Sequence, residues 1–390
     1  MSIHPTCCFL LARQDPDQVE WAVSEHLVEL AELVHAAGME PVGSRVLRRA
    51  AVDARTFYGK GQIEEAAREA KGSMATLLVC DDELTGGQVN AIQKTTGLRV
   101  LDRTGLILAI FEQRARSQEA KVQVELARCE YELPRLKGAW THLERQVGGV
   151  GVRGGPGETQ IEVDRRITRQ RIAQLKKELK HLERVRETQR QGRIAGVPRV
   201  ALVGYTNAGK TSILRALTGE GEPQDMLFAT LDTTTRQLWL AEAERSVVLS
   251  DTVGFIRDLP HKLVEAFRAT LLEAADADLL LHVVDAASPQ AAEQMLEVER
   301  VLQEIGADRI PQILVFNKLD LVEPSARPRV TADRVERSPG VATPRVFVSA
   351  RDGSGLDALR QLIAERLPEP LNGNALPTLA PEALSTSPHA

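Results

Sequence analysis

The chain has 390 residues, 43% of them hydrophobic, which is enough for two or three domains with separate cores. No apolar run reaches membrane-spanning length, and the first five residues, Met-Ser-Ile-His-Pro, lack the charged-then-apolar layout of a secretory signal. A net charge of −5 argues against nucleic acid as a partner of the chain as a whole, so only a local concentration of basic residues reopens that class.

The first hundred residues alternate short apolar runs with helical periodicity. Strands are expected at Cys7–Ala12, Glu40–Val46, Ala75–Cys80 and Leu98–Leu101, and helices at Asp17–Ala37, Gln62–Lys71 and Gly86–Thr96. The first helix carries its apolar stripe on Val23, Leu27, Leu30 and Val34. Such alternation predicts a small α/β domain over residues 1–112 with a mostly parallel sheet. Cys7, Cys8, Cys80 and Cys129 show no zinc spacing, so buried thiols in a reducing cytoplasm are expected rather than a disulfide or metal site. Tyr58-Gly-Lys-Gly61 reads as the plain start of a helix rather than an anion site. Asp81-Asp82-Glu83 reads as a solvated loop before a helix rather than a metal site.

Residues 113–196 differ in character. Val122, Leu126, Cys129 and Leu133 recur at steps of four and three, as do Ile172, Leu175, Leu179 and Leu182. Two such seams predict an antiparallel helical hairpin, and a second helix from Gln160 to Gln191 would be roughly 48 Å long at ~1.5 Å per residue. Between the helices lies a tip loop, residues 137–157, with seven glycines and with Trp140, His142, Arg145 and Arg153. A loop that long has no core of its own and is expected to be mobile and functional. From Arg135 to Arg193 there are fifteen Arg and Lys against seven Asp and Glu, a local excess of eight. The residues alone fit either a solvated coiled-coil face or a basic arm docking on RNA phosphates and unstacked bases. Gly149-Val-Gly-Val-Arg-Gly154 matches G-x-G-x-x-G, but no strand precedes it, so dinucleotide binding is rejected.

Residues 197–367 return to strand–helix alternation, with strands near Pro198–Val203, Gln237–Leu240, Val247–Leu249, Leu279–Val284, Ile313–Phe316 and Val346–Val348. A doubly wound, mostly parallel sheet follows. The strand Val200–Val203 runs into Gly204-Tyr205-Thr206-Asn207-Ala208-Gly209-Lys210-Thr211 and then a helix, Ser212–Leu217. An ordinary glycine turn before a lysine is the bland alternative, but the strand–loop–helix setting makes this a phosphate loop. Its backbone amides would converge on phosphate oxygens, with Lys210 on the β- and γ-phosphates and the Thr211 hydroxyl on Mg²⁺.

Four further signals follow in order. Phe228-Ala229-Thr230-Leu231-Asp232 could close over the γ-phosphate, with Thr230 offering a second hydroxyl to Mg²⁺ and Thr233 and Thr234 as rivals. Asp251-Thr252-Val253-Gly254 ends a strand, its carboxylate placed to hold Mg²⁺ through water and the Gly254 N–H to meet the γ-phosphate. In Asn317-Lys318-Leu319-Asp320, Asp320 can accept from guanine N1–H and the N2 amine, which adenine cannot reciprocate. Asn317 would brace that loop, the Lys318 stem would cover the base, and Ser349-Ala350-Arg351 would offer an amide to O6. Singly these short motifs are weak; in this order and spacing they specify GTP. Lys210, Thr230 and Gly254 are the candidate catalytic set. Ras-like enzymes place a water-orienting glutamine directly after DxxG, and this chain has Phe255 there. Slow hydrolysis is therefore expected from the isolated protein, with a partner accelerating it by ~10³–10⁵. Residues 368–390, rich in Pro, Ser and Ala, are expected to be disordered.

Several segments resemble the HflX-type GTPases: Phe228–Arg236, Asp251–Arg257, Leu101-Asp-Arg-Thr-Gly-Leu-Ile-Leu108, Gln113–Arg116 and, most specifically, Gly154–Arg166. The likeness covers about residues 22–367. It implies a P-loop GTPase domain preceded by a small α/β domain and an antiparallel helical hairpin arm. It places nucleotide contacts on Gly204–Thr211, Phe228–Asp232, Asp251–Gly254, Asn317–Asp320 and Ser349–Arg351, and magnesium ligands on Thr211 and Thr230. It further implies a monomeric cytoplasmic protein, with peripheral membrane association as a second location. Such a protein binds the large (50S) ribosomal subunit and its rRNA, the N-terminal domain and arm reaching toward the peptidyl-transferase centre, and some members split ribosomes under stress. That resolves the reading of the basic arm toward rRNA. Many members carry a further small C-terminal domain where this chain has a short tail. The competing expectation is a GTP-regulated RNA-remodelling or RNA-modification factor not tied to the ribosome, although no cofactor motif stands out beyond residues 204–351.

Overall fold

The computed structural model describes residues 6–49, 51–137, 160–191, 197–219, 227–228, 233–257, 259, 263, 273–338 and 341–367. The N-terminal domain runs β1 (Cys7–Gln14), α1 (Glu20–Ala36), β2 (Glu40–Arg48), α2 (Lys60–Gly72), β3 (Leu77–Cys80), α3 (Gly86–Thr96), β4 (Arg99–Asp102) and α4 (Arg103–Arg114). Its four strands lie in the order β2-β1-β3-β4, all parallel. Successive residues of a strand face opposite ways, so β1 sends Cys8 and Leu10 to one core and Phe9 and Leu11 to another. Helices cover both faces, which is why the central strands β1 and β3 carry unbroken apolar runs. Ile63, Ala66 and Ala70 of α2 close one side, and Leu30, Leu33 and Val34 of α1 close the other.

The expected elements are present within a few residues, but α4 had no counterpart in the periodicity. Leu106, Ile107, Leu108, Ile110 and Phe111 are all buried, so the helix has no polar face to produce an amphipathic stripe. It begins directly at the end of β4, where the Asp102 side chain accepts from Gly105 N at 2.9 Å as its N-terminal cap.

The acidic run also differs from expectation. Asp81 is only 8% exposed and is ion-paired with Arg103 at 2.7 Å, so the loop that carries it is not a solvated one. Asp82 accepts a hydrogen bond from the hydroxyl of the buried Tyr58 at 3.0 Å. Among the described residues no cluster of His, Cys, Asp and Glu is arranged to hold a metal. The thiols of Cys8 and Cys80 are buried, and those of Cys7 and Cys129 half-buried, all unbridged.

The arm consists of α5 (Gln118–Glu132), a 3-10 turn at Arg135–Lys137, and α6 (Gln160–Gln191). Leu175 packs fully buried between Val122 and Leu126, flanked by Ile172, Leu179, Leu182 and Cys129. Gln118 pairs with Glu178, and Glu125 with Arg171, so numbers rise on α5 as they fall on α6 and the hairpin is antiparallel. Its base is tied to the N-terminal domain through Asp102, which accepts from Tyr131 Oη and Arg135 Nη2, both at 2.6 Å, and from Leu84 N at 3.1 Å. Residues 138–157 of the tip loop, and the tail 368–390, lie outside the described residues.

The last domain runs β5 (Arg199–Gly204), α7 (Lys210–Thr218), β6 (Thr234–Leu240), β7 (Arg245–Asp251), β8 (Leu279–Asp285), α8 (Ala291–Glu304), β9 (Gln312–Asn317), β10 (Ala332–Ser338), β11 (Val341–Phe347) and α9 (Leu356–Arg366). The seven strands are ordered β10-β11-β9-β8-β5-β7-β6, with β6 and β10 antiparallel edges on an otherwise parallel sheet. Ala332-Asp-Arg-Val-Glu-Arg-Ser338 is charged where an edge strand tolerates it, and its polarity hid it in the sequence. Strand order reverses about β5, with β7 on one side and β8 on the other, and such switch points open a crevice at the strand C-termini. One apolar cluster runs without a break from Leu30, Leu106 and Phe111 to Phe228, Val253, Phe255 and Ile256, so the two sheet domains share a core.

Burial, and then the neighbouring Asp81 charge, push the Asp82 carboxyl up from 3.8 to about 6. The unfolded chain therefore loses this proton first as pH rises from about 4 to 6, and the folded state is destabilised across that window. Asp82→Asn should melt higher than wild type at pH 7, by about 2 kcal/mol in stability, with the advantage vanishing toward pH 4 in thermal denaturation.

Candidate functional site

The site is built from the C-terminal end of β5. Gly204 has φ +151°, and a Cβ there would stand 2.3 Å from the Val283 carbonyl oxygen of β8. Gly209, the N-cap of α7, has φ +91°, and a Cβ there would stand 2.2 Å from Asn317 Nδ2. Both positions exclude any side chain. Between them the chain turns so that the amides opening α7 face outward at the strand end, the geometry of an anion cradle. Lys210 is buried at 7% exposure and donates to the carbonyls of Gly204 at 3.0 Å and Tyr205 at 2.9 Å. Burial lowers its ammonium to about 8, with Asp251 opposing the shift. A lysine desolvated in this way gains most from an incoming anion.

The Thr211 hydroxyl donates to Asp251 Oδ2 at 2.6 Å, and Asp251 is fully buried at the end of β7. A hydroxyl beside a buried carboxylate is a donor set that suits a hard divalent cation, so these residues fit magnesium. Thr252 donates to Leu202 O at 2.7 Å and fixes the strand end that carries Val253 and Gly254. Gly254 lies close enough to the phosphate loop that a Cβ would meet Thr206 Cα at 2.9 Å and Lys210 Nζ at 3.0 Å. Phe255 continues the contact: its N–H donates to Gly204 O at 3.1 Å and its carbonyl accepts from Thr206 N at 2.7 Å. Its ring is 1% exposed, inside the shared core.

On the opposite side Asn317 joins two loops, donating to Ala208 O and accepting from Ala350 N, each at 3.0 Å. Ser349 donates to Asp320 Oδ1 at 2.8 Å, and the Arg351 guanidinium stands 3.8 Å from the other carboxylate oxygen. Lys318, in the left-handed region at φ +63°, pairs with Asp285 at 2.8 Å, and the Leu319 N–H reaches Val348 O at 3.1 Å. Four of the five sequence motifs are thus gathered at the C-terminal ends of the parallel strands. Of the fifth, Phe228 is buried edge-on against Phe111, ring centroids 4.8 Å apart, while Ala229, Thr230, Leu231 and Asp232 lie outside the described residues. The rivals Thr233 and Thr234 stand at the head of β6, with Thr234 opposite Asp251 in the ladder. Sequence reasoning did not anticipate that Tyr205 and Arg257 would contact the N-terminal domain, because their partners Glu29 and Asp81 are each 176 positions away.

A doubly wound sheet with a lysine-bearing phosphate loop at its switch point, a Thr–Asp pair beside it and an Asn-x-x-Asp loop after β9 define a P-loop GTPase. Comparison with known proteins agrees. The family described as "GTP-binding GTPase N-terminal" matches residues 24–112, "GTP-binding GTPase Middle Region" 114–193 and "50S ribosome-binding GTPase" 199–318. GTPase HflX of Caldanaerobacter subterraneus subsp. tengcongensis is 46% identical over 347 residues, covering 88% of this chain and 77% of that one. GTPase HflX of Escherichia coli K12 is 47% identical over 345 residues, covering 88% and 79%. Among solved structures, the crystal structure of SsGBP with GDP superposes with a TM-score of 0.53 at 25% identity, covering 92% of this chain and 98% of that one. The chain belongs to the HflX GTPase family, and it binds and hydrolyses GTP.

Gly209→Ala combines left-handed strain with a clash against Asn317 and should weaken GDP binding by about tenfold or more, read by titration with a fluorescent GDP analogue.

Proposed function

We propose that this GTPase is a nucleotide-gated factor of the large ribosomal subunit: the GTP form docks through the N-terminal domain and arm, and hydrolysis to GDP and phosphate times release. The observation that carries this reading is the exposed face of α6. Arg166, Arg169, Lys177, Lys180 and Arg184 recur at helical spacing and are all exposed, on the side away from the Leu175 seam. A row of cations on a projecting arm suits a phosphate backbone. The description "50S ribosome-binding GTPase" attached to the family matching residues 199–318 supports the same partner. The reading divides the chain at residues 1–112, 113–196 and 197–367, and sets it in the cytoplasm; among the described residues no helix is long and apolar enough to cross a membrane.

Within the site, the phosphate loop Gly204–Thr211 binds the phosphates through the amides that open α7, and Lys210 neutralises their charge. Thr211 and Thr230 would hold magnesium, with Asp251 acting through water, and the ion would supply neutralisation of the phosphate charge. Gly254 presents its N–H to the γ-phosphate, while Asp320 reads guanine N1–H and N2 with Asn317 bracing both loops. Water attacks the γ-phosphorus, the bond to the β-phosphate oxygen breaks, and GDP leaves. Phe255 is a core residue with both backbone groups bonded to the phosphate loop, so it supplies nothing to orient that water. Turnover by the isolated protein is correspondingly slow.

In sedimentation with large subunits, the protein should pellet with a non-hydrolysable GTP analogue and stay in solution with GDP; equal RNA binding in both states would favour the RNA-remodelling reading instead. Added ribosomes should raise turnover by ~10³. Asp320→Ala should reduce the preference for GTP over ATP by on the order of 10² or more in competition binding, and an unchanged preference would remove the guanine assignment.

A further inference from the structure

Two cations and two anions meet between the domains, Arg103 and Asp81 buried and Glu29 and Arg257 partly so, and the chemistry of GTP leaves them without a task. Arg103, at the start of α4, is 2% exposed. It donates to Asp81 Oδ1 at 2.7 Å and to Glu29 of α1. Arg257, three residues beyond Gly254, donates to Asp81 Oδ2 at 2.8 Å. Burial pushes the Asp81 carboxyl up, but the two guanidinium groups outweigh it and hold it below the usual carboxylate range. Arg103 reaches across again to the Arg257 carbonyl, from Nε at 3.3 Å and Nη2 at 3.2 Å. Tyr205, the second residue of the phosphate loop, donates its hydroxyl to Glu29 and accepts from Arg257 N at 2.7 Å.

Glue alone does not require such a set, because buried ion pairs seldom stabilise more than well-packed apolar residues of the same volume. The apolar seam beside it, Phe111 on Phe228 with Phe255 and Ile256, already supplies adhesion. What a largely buried ion-pair network adds is one permitted geometry, since displacement separates charges that are mostly withdrawn from water. The geometry permitted here is that of the Gly254–Arg257 segment relative to α1 and α4. Arg103 also follows Asp102 in the chain, and Asp102 holds Tyr131 and Arg135 at the base of the arm.

We infer that Glu29, Asp81, Arg103, Arg257 and Tyr205 form a coupling joint, which transmits the position of the Gly254–Arg257 segment to the N-terminal domain and the arm base. The inference rests on the assignment of Gly254 to the γ-phosphate and does not require a ribosome. Each of the five is a positioning residue, acting on the segment or on the domain that carries the arm.

Hydrogen exchange measured by mass spectrometry on the full chain, with GDP and with a non-hydrolysable GTP analogue, tests the joint. In the wild type, amides at residues 81–84 and 103–106 should differ roughly fivefold or more between the two states, together with those at 252–257. In Asp81→Asn and in Glu29→Gln, both outside the nucleotide site, the response at 252–257 should remain while that at 81–84 and 103–106 falls below about twofold. Retained GDP affinity shows that the variants are folded, and the milder Glu29→Gln stands if Asp81→Asn does not. An N-terminal response that persists in the folded variants would overturn the joint alone. No nucleotide response at 252–257 in the wild type would overturn the Gly254 assignment and the joint with it.

Discussion

The structure turns on a backbone that has nowhere to go. At the end of β5, Gly204 lies against the Val283 carbonyl, and five residues later Gly209 lies against the Asn317 amide. The phosphate loop is wedged between the ends of β8 and β9, and a methyl group would collide with the β8 backbone at Gly204 and with the Asn317 side-chain amide at Gly209. Asn317 completes the constraint by holding Ala208 with one end of its amide and Ala350 with the other. The phosphate side and the base side of the site therefore share one rigid residue, and neither loop can drift without the other. Preorganisation of this kind would let amides meet phosphate oxygens without reordering the loop on binding.

The same rigidity accounts for what the enzyme lacks. Where a glutamine would need freedom to orient water, Phe255 is bonded by its backbone to both ends of the phosphate-loop entrance and buried by its ring. Its place in the shared core makes the segment after Gly254 part of the domain interface rather than a free catalytic loop. This arrangement ties the segment to the N-terminal domain and supports the slow turnover proposed for the isolated protein. The arm extends that contact outward, because Asp102 caps α4 and clamps the arm base with the same carboxylate.

Much of this was legible in the chain, for reasons that differ by element. The phosphate loop, Asp251–Gly254 and Asn317–Asp320 are contiguous motifs whose chemistry depends on spacing within a few residues, and sequence records spacing directly. The arm helices were legible because one stripe of Leu175, Leu179 and Leu182 meets another, and the span Gln160–Gln191 agrees with the observed helix. By contrast α4 went unrecognised because a helix buried through most of its length has no periodic signal, and β10 because an edge strand can be charged. The acidic run at Asp81 looked solvated because its two partners, Arg103 and Arg257, are 22 and 176 positions away.

The amino-acid sequence by itself determined the ligand class and the family, and it nominated the residues proposed for phosphate and guanine, since each rests on local patterns of glycine, hydroxyl, carboxylate and apolar period. Only the tertiary structure decided that Phe255 is a core residue, that Tyr205 and Arg257 answer to Glu29 and Asp81, and that one apolar cluster unites the two sheets. Those facts depend on which surfaces meet once the chain has folded, and burial and pairing across long separations leave no periodic trace in a single sequence.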